Sequence, residues 1–346
     1  MCTGGPQKIP VEIVFNPNWW FTHYGISFDR PFYFDRERRI RNDVKMRKIL
    51  RERFGVGEAD PQPRPVIGSR HVAGGFVVPA LLGAEVRFAD NQAPWVVAAN
   101  LSREQVLALK VPDIESTWPM KELLADMEAL EREWGRVVGD LNAGGILNVG
   151  LDLRGHQLFL DLLEDPELTA HLFDVIVETI ARVAECVRAR TGTCAVSCNR
   201  NIVHADEATF VHANCSVPMI SPGLFERTLL PYERRLAERL RPYGIHHCGG
   251  NLHKFAALYA QTGASFYDVG WGSGVARCAE LLPDAFLSLR LSPVRVLQCA
   301  PDQVRRDAEE LLAAAGRREN VALCCINMDY GTPDENVLAI FEAAAR

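Results

Sequence analysis

The feature that most restricts the fold of this chain is the alternation of strand-like and helix-like segments through its C-terminal half. The spacing predicts a buried strand at ILNVGLD (146–152) and a long helix over 166–190, then a strand at CAVSC (194–198). SPGLFERTLLPYERRLAERLRPY (221–243) reads as a helix, capped by Ser221 with Pro222 in its first turn, and Pro231 should kink or break it. GIHHC (244–248) follows as a short strand and LHKFAALYAQTG as a helix closed by Gly263. SFYDVG, AFLSLR and NVALCCI then read as strands, separated by the helices GVARCAELLP and PDQVRRDAEELLAAAG, and TPDENVLAIFEAAAR ends the chain as a helix. Such units recur every roughly 20 to 40 residues, the pattern of parallel strands covered by helices. The predicted fold is α/β, a TIM-type (β/α)8 barrel with an N-terminal extension. A doubly wound open sheet is the alternative, although neither GxGxxG after a strand nor GxxxxGK[ST] is present to bind nucleotide phosphates.

The N-terminal part reads differently. Residues 1–34 are aromatic-rich and irregular, DRERRIRNDVKMRKILRERFG (35–55) is a strongly basic helix, and DPQPRP (60–65) is a connector. The predicted division is therefore residues 1–70, an extension with a basic helix wrapping the barrel, and residues 71–346, the catalytic barrel. Further on, Ser102 and Gln105 form a capping-box pattern, and Met120–Val138 reads as a long amphipathic helix. The basic helix suits a solvated surface, or a dock for an acidic partner or anionic cofactor. A formal net charge of −6 gives no general attraction to nucleic acid. No 18-residue apolar run and no signal-peptide pattern occur, so the expectation is a cytoplasmic protein that does not enter a membrane.

Chemistry concentrates at two strand ends. Parallel α/β folds gather functional groups at the C-terminal ends of their strands. In IHHCGGN, residues i and i+2 of a strand share a side, so His246 and Cys248 converge while His247 points away. In ALCCINMDYG only one of the adjacent cysteines can join them; Cys325 is favoured, with Cys324 turned toward the helical layer. His, Cys and Cys would bind Zn2+ and leave a fourth position open, the catalytic rather than the structural pattern. The bland alternative is a core histidine among buried cysteines, and the remaining cysteines, ten in all, read as small buried hydrophobes. Asp206 and Glu207, after the 194–198 segment, and Asp268, ending SFYDVG, are candidate catalytic carboxylates. Asn16, Asn18 and Trp19 are candidate walls of a substrate pocket, and Asn327 and Asp329 candidate neighbours of the ligands.

From about residue 145 onward the chain resembles the uroporphyrinogen decarboxylase superfamily. The resemblance rests on ISPGLFERTLLPYERRLAERLRPYGIHHCGGN and CCINMDYGTPDENVLAIFEAA. NPNWWFTHYGISFDRPFYFD with the following basic helix is similar to its methylcobamide-dependent, corrinoid zinc methyltransferase branch. The RQAGR-type segment of true decarboxylases is not found. The branch implies a TIM-type barrel and transfer of a methyl group from a methylated corrinoid to a thiol or a tetrahydrofolate-type acceptor. It also implies zinc ligands at His246, Cys248 and Cys325. The doubled cysteine, where the family more often shows GC, and a longer gap to Asn336 depart from the pattern and keep Cys324 as an alternative. No DxHxxG run is present, so the methylcobamide would arrive on a separate corrinoid protein. The original methyl donor is open: methoxylated aromatics in an O-demethylation route, methylamines or other small methylated compounds. The competing readings are a tetrapyrrole decarboxylase using Arg30, Arg36 and Arg290, and a non-catalytic barrel with structural zinc.

Overall fold

The structure, a computed structural model, describes residues 9–68, 75–139, 141–193, 206, 208–316 and 319–345. Ten strands are found among them: β1 (Val11–Phe15), β2 (Val66–Ile67), β3 (Glu85–Ala89), β4 (Gln92–Val97), β5 (Val138–Gly139), β6 (Phe210–Ala213), β7 (Tyr243–His247), β8 (Phe266–Val269), β9 (Phe286–Arg290) and β10 (Val321–Met328). Six form one parallel sheet in the order β1-β10-β9-β8-β7-β6. A second parallel pair joins β2 to β5, and β3 and β4 form an antiparallel hairpin. The fold is α/β, with a curled, partly open parallel sheet. Among the described residues the parallel strands form six plus two, not one closed ring of eight.

Both faces of the sheet are buried. Every residue of β7, β8 and β9 is inaccessible, as expected when helices cover one face and the curl encloses the other. On the concave side Val211, Phe266, Phe286 and Ala322 form a small plug, with the two phenyl rings stacked at 5.6 Å. On the convex side Ile245, Tyr267, Leu287, Leu289, Leu323 and Cys325 join the main core under the helices. The side chains of each strand therefore alternate between a plugged interior and a helical layer.

Several sequence expectations are corrected. ILNVGLD is not a strand but part of the helix Ile146–Arg154; Ile146, Val149, Gly150 and Leu153 are buried at helical spacing. Residues 194–198 lie outside the described residues, and the strand found just before β7 is Phe210–Ala213. Residues 11–15, expected to be irregular, form β1, which pairs with β10 (Ile13 opposite Cys325). The break expected at Pro231 is found two residues earlier: at Leu229 the 221–243 segment divides into the helices Pro222–Thr228 and Leu230–Arg239. Pro231 stands at the start of the second, where its missing N–H is tolerated.

The basic segment is the helix Arg36–Phe54, and several of its arginines face inward. Arg39 is 2% exposed; it pairs with Asp126 and donates to the carbonyls of Val66 (2.7 Å) and Tyr33 (2.8 Å). Arg47 pairs with Asp43 at 2.9 Å and Glu58 at 2.8 Å. Much of the charge that suggested a docking surface is spent holding this helix to the body. No described helix is long and apolar enough to cross a membrane.

Candidate metal centre

The site is built where β6, β7, β8 and β9 end. β7 directs His246 to the concave side and His247 to the helical layer. There His247 Nδ1 meets the Tyr259 hydroxyl at 2.8 Å and Nε2 meets Asn251 Oδ1 at 2.7 Å. Burial pushes the His247 pKa down to about 4, so it is a neutral structural residue. His246 lies opposite Asp268 of β8, whose carboxylate takes the Nδ1–H of the imidazole in a short hydrogen bond between two fully buried side chains. That contact leaves Nε2 as the ring nitrogen available to a ligand.

Two thiols converge on this imidazole. Cys248 follows β7 by one residue. Cys215 follows β6 by two, on the concave side that Val211 and Ala213 define by alternation. The ligand atoms of Cys215, His246 and Cys248 lie within 4.8 Å of one another. His246 is buried, Cys248 half-buried and Cys215 exposed, so the cluster opens toward solvent on one side. Arg290 Nη1 lies 3.4 Å from Cys248 Sγ, and Arg290 Nε lies 3.5 Å from Asp268. The Cys215 thiol, then His246 and Arg290, hold Cys248 far below the ordinary thiol range, whereas the contact with Cys248 pushes Cys215 up. One thiolate beside one thiol, an imidazole and a guanidinium is a polarised donor set. Two sulfurs and an imidazole nitrogen suit a borderline-soft ion such as zinc, with a position left open.

Glycine lets the loops close on the site. A Cβ on Gly249 would lie 2.5 Å from Pro218 Cγ, so the turn after β6 packs directly on the turn after β7.

Of the residues anticipated from sequence, His246 and Cys248 come together; Cys325 does not join them. Cys325 is fully buried in the apolar layer between sheet and helices, and burial pushes its thiol up to about 12. Its neighbour Cys324 points inward instead, with Sγ 4.0 Å from Asp268 Oδ1. The alternation along β10 is thus the reverse of the one expected. Asp206 is a turn residue before β6, accepting the Ala208 N–H at 2.8 Å; it belongs to the opposite end of the sheet from the cluster. Glu207 lies outside the described residues. Trp19 is no pocket wall: it is fully buried, stacked on Phe15 at 4.0 Å. Asn16, Asn18, Asn327 and Asp329 do meet. Asn16 Nδ2 donates to the Asn327 carbonyl at 3.1 Å, and Asn18 Nδ2 to Asp329 Oδ1 at 3.3 Å. They sit at the ends of β1 and β10, four and three strands along the sheet from β7. The residue that sequence reasoning missed is Cys215. Its signal was the apolar FVHA before it, which puts a cysteine just past a strand end.

The profile described as Uroporphyrinogen decarboxylase (URO-D) matches residues 73–346. Among curated proteins, none matches this sequence. Among solved structures, a methyltransferase from Methanosarcina mazei superposes with a TM-score of 0.69 at 18% identity. The match covers 98% of this chain and 94% of that one. At that identity the likeness is one of fold. The family match spans well over half of the sequence, and the chain belongs to the uroporphyrinogen decarboxylase (URO-D) family.

Proposed function

We propose that this protein is a zinc-dependent methyltransferase of the family, moving a methyl group from a protein-bound methylcobamide to a thiol or tetrahydrofolate-type acceptor. The observation that carries the reading is the convergence of Cys215, His246 and Cys248 at the open side of the sheet, with Asp268 already committed to Nδ1 of the histidine. These three residues would hold the zinc. Zinc bound there supplies Lewis acidity that keeps an acceptor thiol deprotonated near neutral pH.

The chain's own groups have separable tasks. Asp268 fixes the tautomer and orientation of His246. Arg290 stabilises negative charge on Cys248 and pairs with Asp268. Asn16, Asn18, Asn327 and Asp329 form a polar rim across the mouth, suited to orienting the acceptor. Met219, Trp271, Val294 and Tyr330, between 50% and 61% exposed, stand on the turns and short helices that follow β6, β8, β9 and β10. An apolar rim of that kind favours contact with a carrier protein over binding of a small solute alone. Tetrapyrrole decarboxylation fits less well, since Arg30 is paired with Glu122 at 2.6 Å, Arg36 with Glu133 at 3.9 Å and Arg290 with Asp268.

The test is elemental analysis of the purified chain and of three serine variants, alongside demethylation of methylcobalamin by a small thiol. About one zinc per chain is expected, lost in Cys215→Ser and Cys248→Ser and kept in Cys325→Ser, with thiol-dependent demethylation following the metal. A protein that takes up no zinc when it is supplied refutes the reading.

A further inference from the structure

Cys215 is exposed in the turn after β6, and an exposed side chain ordinarily samples several positions. Two buried or half-buried side chains bracket its backbone. On one side Asn148, in the helix Ile146–Arg154, spans the residues flanking the cysteine. Its Oδ1 accepts the Ser216 N–H at 2.9 Å and its Nδ2 donates to the Ala213 carbonyl at 3.1 Å. On the other side Asn214, the residue just before Cys215, donates from Nδ2 to Glu233 Oε1 at 2.7 Å. Its backbone N–H donates to the His246 carbonyl at 2.7 Å. The second carboxyl oxygen of Glu233 accepts the Tyr243 hydroxyl at 2.7 Å, so the group that holds Asn214 is itself tied to β7. Asn214 and Glu233 are 2% and 1% exposed.

A buried carboxyl group is costly unless its partners are fixed, and sheet packing alone does not call for one here. The geometry does call for one: the amide and the carboxyl hold the turn on both sides, beside His246 of β7 and the Cys248 that follows it. Resting on the zinc reading above, we propose that Asn148 and Glu233 are positioning residues. They preset the Cys215 turn so that its sulfur meets His246 and Cys248 before any metal binds. Neither touches the ligand atoms; both act through the backbone and Asn214.

Cobalt(II) titration of the full chain tests this, because thiolate-to-cobalt charge-transfer absorption counts the sulfurs bound. Wild type should show a two-thiolate band, and Cys215→Ala about half of it. Asn148→Ala and Glu233→Ala should bind cobalt about 10- to 100-fold more weakly and move toward the half-intensity band. Glu233→Gln should stay within about twofold of wild type, since its oxygen still accepts from Asn214 and the Tyr243 hydroxyl can turn to accept from the amide. Asn148 is partly exposed, so Asn148→Ala decides the matter if Glu233→Ala does not fold. Wild-type affinity and band in Asn148→Ala, or a Glu233→Gln variant as impaired as Glu233→Ala, overturns the positioning role while the zinc reading stands. No thiolate band in wild type overturns both.

Discussion

Replacing Asp268 by asparagine should separate the two tasks of that side chain. The aspartate is fully buried; one oxygen holds Nδ1–H of His246, and the other lies 3.5 Å from Nε of Arg290, itself 4% exposed. Asparagine has the same shape but one acceptor and one amino group. If its oxygen serves His246, the amino group faces the guanidinium and Arg290 loses its carboxylate partner. Breaking a buried pair from one side costs about 3 kcal/mol or more. If the oxygen turns to Arg290, the amino group faces Nδ1 and drives the imidazole proton to Nε2, the nitrogen a metal needs. That arrangement weakens metal binding about 10- to 100-fold, or about 1.4 to 2.7 kcal/mol. The metal-free protein is free to choose the cheaper arrangement, whereas zinc enforces the first. The expected result is a modest stability loss without zinc, a larger one with zinc, and zinc affinity at least about 10-fold lower by chelator competition. Urea unfolding with and without zinc reads the two losses. A variant whose zinc affinity stays within about twofold of wild type refutes the role given to this carboxylate.

Three further outcomes follow from the packing. Trp19→Ala should lower stability by about 3 to 5 kcal/mol in urea unfolding, as expected for a fully buried aromatic side chain; a loss below about 1 kcal/mol would contradict its place in the core. Gly145→Ala should cost about 1 to 3 kcal/mol and loosen metal binding, because its Cβ would lie 1.8 Å from the Ala213 carbonyl oxygen beside the Cys215 turn; a wild-type melt and cobalt affinity would count against that close approach. Burial raises Asp152 from 3.8 to about 7, so the native state holds a proton that the unfolded state has released between those values. Its contribution is therefore present below about pH 4 and lost as pH rises through about 7. The loss is roughly 2 kcal/mol, about half the unscreened value, because the carboxyl still reaches solvent. Asp152→Asn should flatten that part of the stability profile, and an unchanged slope would refute the assignment.

The local sequence disclosed one half of the metal centre and hid the other for identifiable reasons. In IHHC the pairing of His246 with Cys248 follows from strand alternation, and the glycines after it mark the strand end. In VALCCI every position is apolar, and a stretch buried on both faces carries no polar residue to set its phase. The choice between Cys324 and Cys325 therefore had no local signal, and the structure reverses it. Cys215 was hidden because the strand expected at 194–198, outside the described residues, left FVHA and the cysteine after it without a role in the sequence pattern. The helix Ile146–Arg154 was obscured because its apolar residues also fit a buried strand, and its capping groups come from distant residues such as His212, whose Nε2 accepts the Ile146 N–H at 3.2 Å. The β7–β10 strands with their covering helices were legible because their apolar runs are short and regularly bounded.

The pairing of β1 with β10 has a consequence for how the chain reaches its native state. Asn16 and Asn327, joined by a hydrogen bond at the end of that pair, are 311 residues apart in sequence. During synthesis β1 emerges first and waits for almost the whole chain, on the order of tens of seconds at ordinary elongation rates. For that interval VEIVF is an unpaired apolar strand next to two tryptophans. A nascent chain of this protein should therefore depend on shielding of β1 and the two tryptophans after it, and truncation before Val321 should leave a sheet edge open to association with other chains.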